Sequence, residues 1–429
     1  MNQSAKKRLS PTVWYLFAGL SACVLGFAIS AFCLPTWGKA SAGTPESLAA
    51  IHTLVLGGLL TIAAGVLYQV VSIAFQAPPL PRHVALWHLP AHAVAVILMV
   101  GGFVAGDWRL VGVGGSLLVA GLAAYGAFLA RSYRLARNKT HVHRLLWLPG
   151  AFFVWVAAAG LWQAFSPETE TPALLLTHIA AGALGFWTGL VMIISYKFIP
   201  MFSLSHGYKI SAAKTAAWWF GGLAILLFSH LPAIFAWRNG LPQPMYALTL
   251  AGCLAALAGL ISFTVDARRI LGARKRKTFV KPMRSALFAL AIILLAAVLA
   301  LASIVLNWRG LAFLAGYLLL FCGLLPLAFS YVQKIVPFLW FEYRFSHRPE
   351  RKTAPALDDM VPQRWIAAAD RFYLAGVACG LPVIVIRSLP TALTAILAGA
   401  FGILCAAATV ILMVSLRRVL LIGGPRPIE

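Results

Sequence analysis

Long apolar runs alternate with short polar or basic connections along the whole chain. Twelve runs reach about 20 residues or more, the length an α-helix needs to cross roughly 30 Å of hydrocarbon. In the first half they cover roughly residues 13–34, 47–75, 84–106, 110–131, 145–166 and 173–202. In the second half they cover roughly 211–236, 244–266, 285–306, 311–339, 366–387 and 389–416. Lipid offers no partner to backbone N–H and C=O groups, so each run is predicted as a helix. The expected fold is therefore all-α, a polytopic membrane bundle of twelve transmembrane helices. The longest connection, about 340–365, is too short and too polar to build its own core, so 1–429 reads as a single integral membrane domain.

Within this pattern one cassette recurs three times. It runs from His52 to Phe75, from His178 to Phe202, and from Tyr317 to Phe341. The copies share an inner-end phrase, a polar residue followed by apolar residues and a Ser or Pro: Gln69 to Ser72, Lys197 to Pro200, Lys334 to Pro337. The steps are 128 residues from Gln69 to Lys197 and 137 residues from Lys197 to Lys334. Three pseudo-repeated four-helix units are expected, at approximately 13–131, 145–266 and 285–416.

Composition agrees with a membrane protein: 61% hydrophobic residues, 11% charged residues and a mean hydropathy of +0.86. The net charge of +24 does not point to nucleic acid. With the N-terminus in the cytoplasm, only Lys39, Arg109, Arg238, Arg309 and Arg387 of the 35 Lys and Arg fall outside. That asymmetry is the positive-inside rule, and it predicts both termini cytoplasmic in a multi-pass cell-membrane protein. The lipid bilayer, with its anionic head groups, is then the expected partner of the basic loops, and no nucleic acid is expected. The first run exceeds the usual apolar core of a signal peptide and is read as a span. Cys23, Cys33, Cys253, Cys322, Cys379 and Cys405 stand singly, without a CxxC pair, and read as small core residues.

The candidate chemistry is histidine. His141, His143, His206 and His347 fall in basic loops and read as solvated. His83, His88 and His92 gather at the inner end of the third helix, and His88 and His92, four apart, share a face and form a candidate metal pair. His52, His178 and His230 fall at one depth near the outer surface, about 7–9 Å in. Three imidazoles at one level suit a copper ion or a heme with a neighbouring metal. The alternative is three separate histidines, each bonded to a backbone carbonyl. Gly57, Gly58 and Gly65 after His52, and Gly182, Gly185 and Gly189 after His178, allow close helix packing or a flat ring against the backbone.

The spacing His52, Gly57, Gly65, Tyr68, Gln69 resembles the second helix of heme–copper oxidase subunit I. The phrase Ser195 to His206 is similar to subunit-I-like proteins and, more loosely, to the NnrS family. This resemblance implies twelve helices, threefold pseudo-symmetry and cytoplasmic termini, with His52 as a heme ligand and His178 and His230 as copper ligands. Tyr317 lies at the level where the oxidases take heme ligands from the tenth helix, and it is the remaining cofactor candidate. The tenth helix carries no histidine and the seventh carries one where the oxidases have a pair. The usual oxygen-reducing binuclear centre is therefore not expected, nor is proton pumping, because the acids near the spans, Asp266, Glu342, Asp370 and Glu46, all fall at helix ends.

The reading is a protein binding heme, copper or both, in nitric oxide tolerance, metal handling or respiratory assembly. If it is an enzyme, it is an oxidoreductase of the heme–copper or nitric oxide reductase type. A redox partner or an oligomer is implied because no soluble redox domain is fused to the chain. The alternatives are a small-solute transporter and a cofactor-free assembly subunit.

Overall fold

The computed structural model describes residues 9–41, 43–137, 139, 141–169, 171–235, 243–275, 279–346, 351–352 and 354–423. Among these residues the fold is helical throughout, with twelve helices long and apolar enough to cross a membrane. They are α1 (Thr12–Gly38), α2 (Pro45–Gln69), α3 (Arg82–Ala105), α4 (Trp108–Arg134), α5 (Trp147–Phe165) and α6 (Pro172–Ser203). The remaining six are α7 (Ala212–Phe235), α8 (Pro244–Gly272), α9 (Lys281–Val305), α10 (Arg309–Arg344), α11 (Gln363–Val385) and α12 (Thr391–Val419). An even number of crossings puts the start of α1 and the end of α12 on one side, where the basic connections also lie. We call it the basic side.

Local signals explain the helix starts. Thr44 and Thr171 each precede a proline, and their hydroxyls accept the N–H groups of Ser47 (3.3 Å) and Leu174 (3.1 Å). A hydroxyl cap followed by proline at the first helical position satisfies an orphan donor and presets φ. These two helices, α2 and α6, carry His52 and His178. Between α3 and α4 the chain turns through Gly106 at φ +67°, and Asp107 caps α4 by accepting from Arg109 N–H and Leu110 N–H.

The repeat is written into the backbone. Three helices switch to π-helical i→i+5 bonding over Thr53–Leu60 in α2, Ala181–Thr188 in α6 and Leu318–Leu324 in α10. The first residues of these segments, 53, 181 and 318, are separated by the same 128 and 137 steps as Gln69, Lys197 and Lys334. In that register His52 corresponds to Ala180 and Tyr317, whereas His178 corresponds to Ala50 and Ala315. His52 and His178 are thus not repeat-equivalent; His178 stands two residues, over half a helical turn, earlier.

The third and fourth helices of each unit pack as close hairpins, α3 on α4, α7 on α8 and α11 on α12. Each hairpin has a glycine at its crossing: a Cβ on Gly114, Gly222 or Gly376 would lie 2.5 Å from Met99 N, 2.4 Å from Ala256 N or 2.7 Å from Cys405 Sγ. Such small-residue contacts let membrane helices approach at backbone distance. Units join through α4 against α5 and α8 against α9, and α12 returns to α1, where a Cβ on Gly402 would meet Phe27 O at 2.8 Å. One apolar core joins α1 and α2 to the last four helices around Phe27, Phe321, Tyr373 and Phe401, a second fills the middle unit around Trp219 and Phe263, and two smaller clusters hold α3 and α4 in the first unit.

Candidate functional site

His52 sits seven residues into α2, about 10 Å along its axis from the side opposite the basic one. Its Nδ1 bonds to the carbonyl of Leu48 one turn back (2.7 Å), and its ring lies 4.8 Å from that of Phe103 on α3. His178 enters α6 at a similar depth. Its Nδ1 reaches across to the carbonyl of Val156 on α5 (3.1 Å). A carbonyl oxygen only accepts, so both Nδ1 atoms carry the proton, and in a neutral ring each Nε2 keeps its lone pair. Both rings are half-buried. Gly160 makes room on α5, since a Cβ there would stand 3.1 Å from His178 Cε1. The carbonyl contacts of the simpler alternative are present, and they leave the Nε2 lone pair of each neutral imidazole free to accept a proton or a metal.

His230 does not join this pair. It is 3% exposed, its Nδ1 lies 2.8 Å from Leu226 O and 3.1 Å from Ser229 Oγ, and Ser229 in turn meets Thr249 of α8 at 2.8 Å. Among the described residues no three His, Cys, Asp or Glu side chains are placed to hold one metal ion. The three-histidine copper site expected from depth is therefore not assembled, and His230 is held within its own helix by Leu226 O and Ser229 Oγ. Tyr317 is in the core, its hydroxyl donating to Val377 O of α11 (2.7 Å) and its ring packed on Phe321 and Phe401. It occupies the repeat position of His52, yet it serves the α10–α11–α12 packing.

At the basic end of the first unit, His88 and His92 lie side by side, 0% and 3% exposed, with ring centroids 5.6 Å apart. His88 Nδ1 is hydrogen-bonded to the Tyr15 hydroxyl of α1 (2.8 Å), and Tyr125 of α4 stacks on its ring at 4.5 Å. His92 Nε2 donates to the carbonyl of Leu56 in α2 (3.0 Å). Among the described residues, His88 Nε2 and His92 Nδ1 are buried without a partner. Pro90 between them leaves α3 helical. His83 packs its ring on Phe128. The loop position His347 and the side chains of His141 and His143 lie outside the described residues, and His206 is exposed.

Sequence reasoning places Asp266, Asp370 and the cassette-end polar residues at helix ends without their partners. Asp266 near the end of α8 is 1% exposed; its Oδ2 accepts from Tyr196 of α6 (2.9 Å) and from the N–H of Ser211 (2.7 Å), which leads into α7. Tyr196 continues to Thr215, and Thr215 to Ser262. The only sequence signal was an acid among apolar residues. At the cassette ends, Gln69 accepts from Ser10 and Lys334 pairs with Asp358, while Lys197 makes no hydrogen bond or ion pair among the described residues. Asp370, beside Arg371 in sequence, pairs instead with Lys281 of α9 at 2.7 Å.

Two cavities of about 570 and 580 Å³ open on the surface, one lined by Phe228, Pro232 and Met245 and the other by Tyr133, Arg134, Lys139 and Trp147. Neither is lined by His52 or His178. The chain matches no protein-family model and no curated protein.

Proposed function

We propose that the chain is a heme- or copper-binding membrane protein of the heme–copper oxidase subunit I-like or NnrS-like kind, with His52 and His178 as its ligands. The supporting observation is two imidazoles at one depth, each held by a carbonyl at Nδ1 and each keeping an Nε2 lone pair. Metal-binding histidines are typically fixed by just such an outer hydrogen bond. The donor set fits one copper ion or one heme iron. Bound there, the metal would supply a redox-active or ligand-binding centre. The protein's own contribution is to fix both tautomers, to cover His52 with Phe103, and to give His178 room at Gly160.

By the positive-inside rule the basic side is cytoplasmic, which puts this pair near the outer face of the cell membrane, in bacteria the inner membrane. A partner able to deliver electrons from that face suits such a centre, and the role is nitric oxide tolerance, metal handling or respiratory assembly. The test is protein purified in mild detergent from cells supplied with heme and copper, measured by visible spectrum and metal analysis. The reading expects iron or copper at stoichiometric levels, lost in His52→Ala and in His178→Ala. Colourless, metal-free protein would overturn it.

A further inference from the structure

The geometry points to a second metal site, separate from the His52–His178 pair and independent of it: His88 Nε2 and His92 Nδ1 hold one copper(I) ion in a buried two-coordinate site. Both histidines are essentially inaccessible to solvent, and each is tied down at one nitrogen and unpartnered at the other. His92 donates Nε2–H to the carbonyl of Leu56, so in the neutral ring Nδ1 is a bare lone pair. When His88 donates its Nδ1–H to the Tyr15 oxygen, its Nε2 is a lone pair too. The ring centroids are 5.6 Å apart. With metal–nitrogen bonds of about 2 Å, one ion reaches both rings at that separation.

The surroundings select the ion. Tyr15 and Tyr125 flank His88, and the hydroxyls of Tyr68 and Tyr125 are committed to the carbonyls of Leu80 (2.9 Å) and Ala64 (2.7 Å). Among the described residues no cysteine or carboxylate adds a third ligand. The desolvation cost of an ion rises with the square of its charge, so a site without a carboxylate favours a monovalent cation over a divalent one. Copper(I) accepts two imidazoles in a near-linear arrangement, whereas zinc and copper(II) need four ligands or more. The opposite hydrogen-bond sense, with Tyr15 donating to His88, would place an N–H on Nε2 and suit a bridging water.

The test uses the full chain carrying His52→Ala and His178→Ala, so that the upper pair cannot contribute. It is titrated anaerobically with copper(I) against a chromophoric copper(I) chelator, and the bound metal is examined by X-ray absorption. One copper(I) per chain with two nitrogen neighbours is expected. Adding His88→Gln should weaken binding by about 100-fold or more, and Tyr15→Phe, which leaves both rings in place, by about 10- to 100-fold. Thermal unfolding of each variant checks that the bundle persists. Absence of stoichiometric copper(I), or equal binding with and without His88, would overturn the site and leave a bridging water as its occupant.

Discussion

The hydroxyl of Tyr373 on α11 donates to the carbonyl oxygen of Phe321 on α10 at 2.7 Å. The cause lies in α10. Its π-helical segment pairs Leu325 N–H with Leu320 O, and the next residue, Pro326, has no N–H to offer Phe321. In repeat register Phe321 corresponds to Leu56, whose carbonyl takes His92 Nε2 from α3 and Thr61 Oγ1. It corresponds also to Leu184, whose carbonyl already receives Gly189 N–H of its own helix. On α7 Trp219 stands three residues before Gly222, as Tyr373 stands three before Gly376, and its buried Nε1 has no partner. His92 on α3 and Tyr373 on α11 thus each bond the repeat-equivalent carbonyl on the second helix of their unit. Tyr373→Phe should therefore cost about 1–3 kcal/mol by stranding a buried carbonyl, seen as a lower midpoint of thermal unfolding in detergent. Trp219→Phe removes a donor that has no acceptor and should cost less than Tyr373→Phe.

Adjacent glycines on α7 offer a matched pair. A Cβ at Gly222 would lie 2.4 Å from Ala256 N and 2.6 Å from Gly252 O, whereas one at Gly221 meets nothing within 4 Å. Gly222→Ala should push α7 from α8 at a cost of about 1–3 kcal/mol. Gly221→Ala should be neutral or stabilising by up to about 1 kcal/mol. Equal unfolding midpoints for the two variants would refute the close α7–α8 contact.

Asp266 fastens three helices, so Asp266→Ala strands the Ser211 N–H that leads into α7 and leaves Tyr196 only Thr215. The expected loss is about 1–3 kcal/mol. Asp266→Asn keeps an acceptor oxygen and should recover part of it. Limited proteolysis should find the α6–α7 connection more readily cut in the Ala variant.

Gly160→Val tests the seat of His178. The Cβ would stand 3.1 Å from Cε1, so the added methyl groups must move the ring. Metal content at the upper pair should fall by about tenfold or more while thermal unfolding changes little. Unchanged metal content would separate His178 from the metal.

Hydropathy alone located all twelve spans, because lipid forces each apolar run into one helix; α6, expected at 173–202, runs Pro172–Ser203. The repeat was legible from Gln69, Lys197 and Lys334, but the π-helical segments were not, since i→i+5 bonding leaves no mark in apolar composition. Depth placed His52, His178 and His230 on one level, and depth says nothing about which way a helix face turns. Depth alone therefore groups His230 with the pair, while its ring is held by Leu226 and Ser229 of its own helix. The partner of Tyr373 is likewise unreadable from sequence, although its place three residues before a packing glycine, shared with Trp219, is a usable signal.

The central claim is that His52 and His178 hold one metal together, and a stoichiometric cycle tests it most directly. Metal per chain is measured in wild type, His52→Ala, His178→Ala, the double variant and His230→Ala, all prepared alike. Shared ligation predicts that each single variant loses the same one equivalent, that the double loses no more, and that His230→Ala loses none. A double variant that loses the sum of two separate single losses, or a loss in His230→Ala alone, would contradict it.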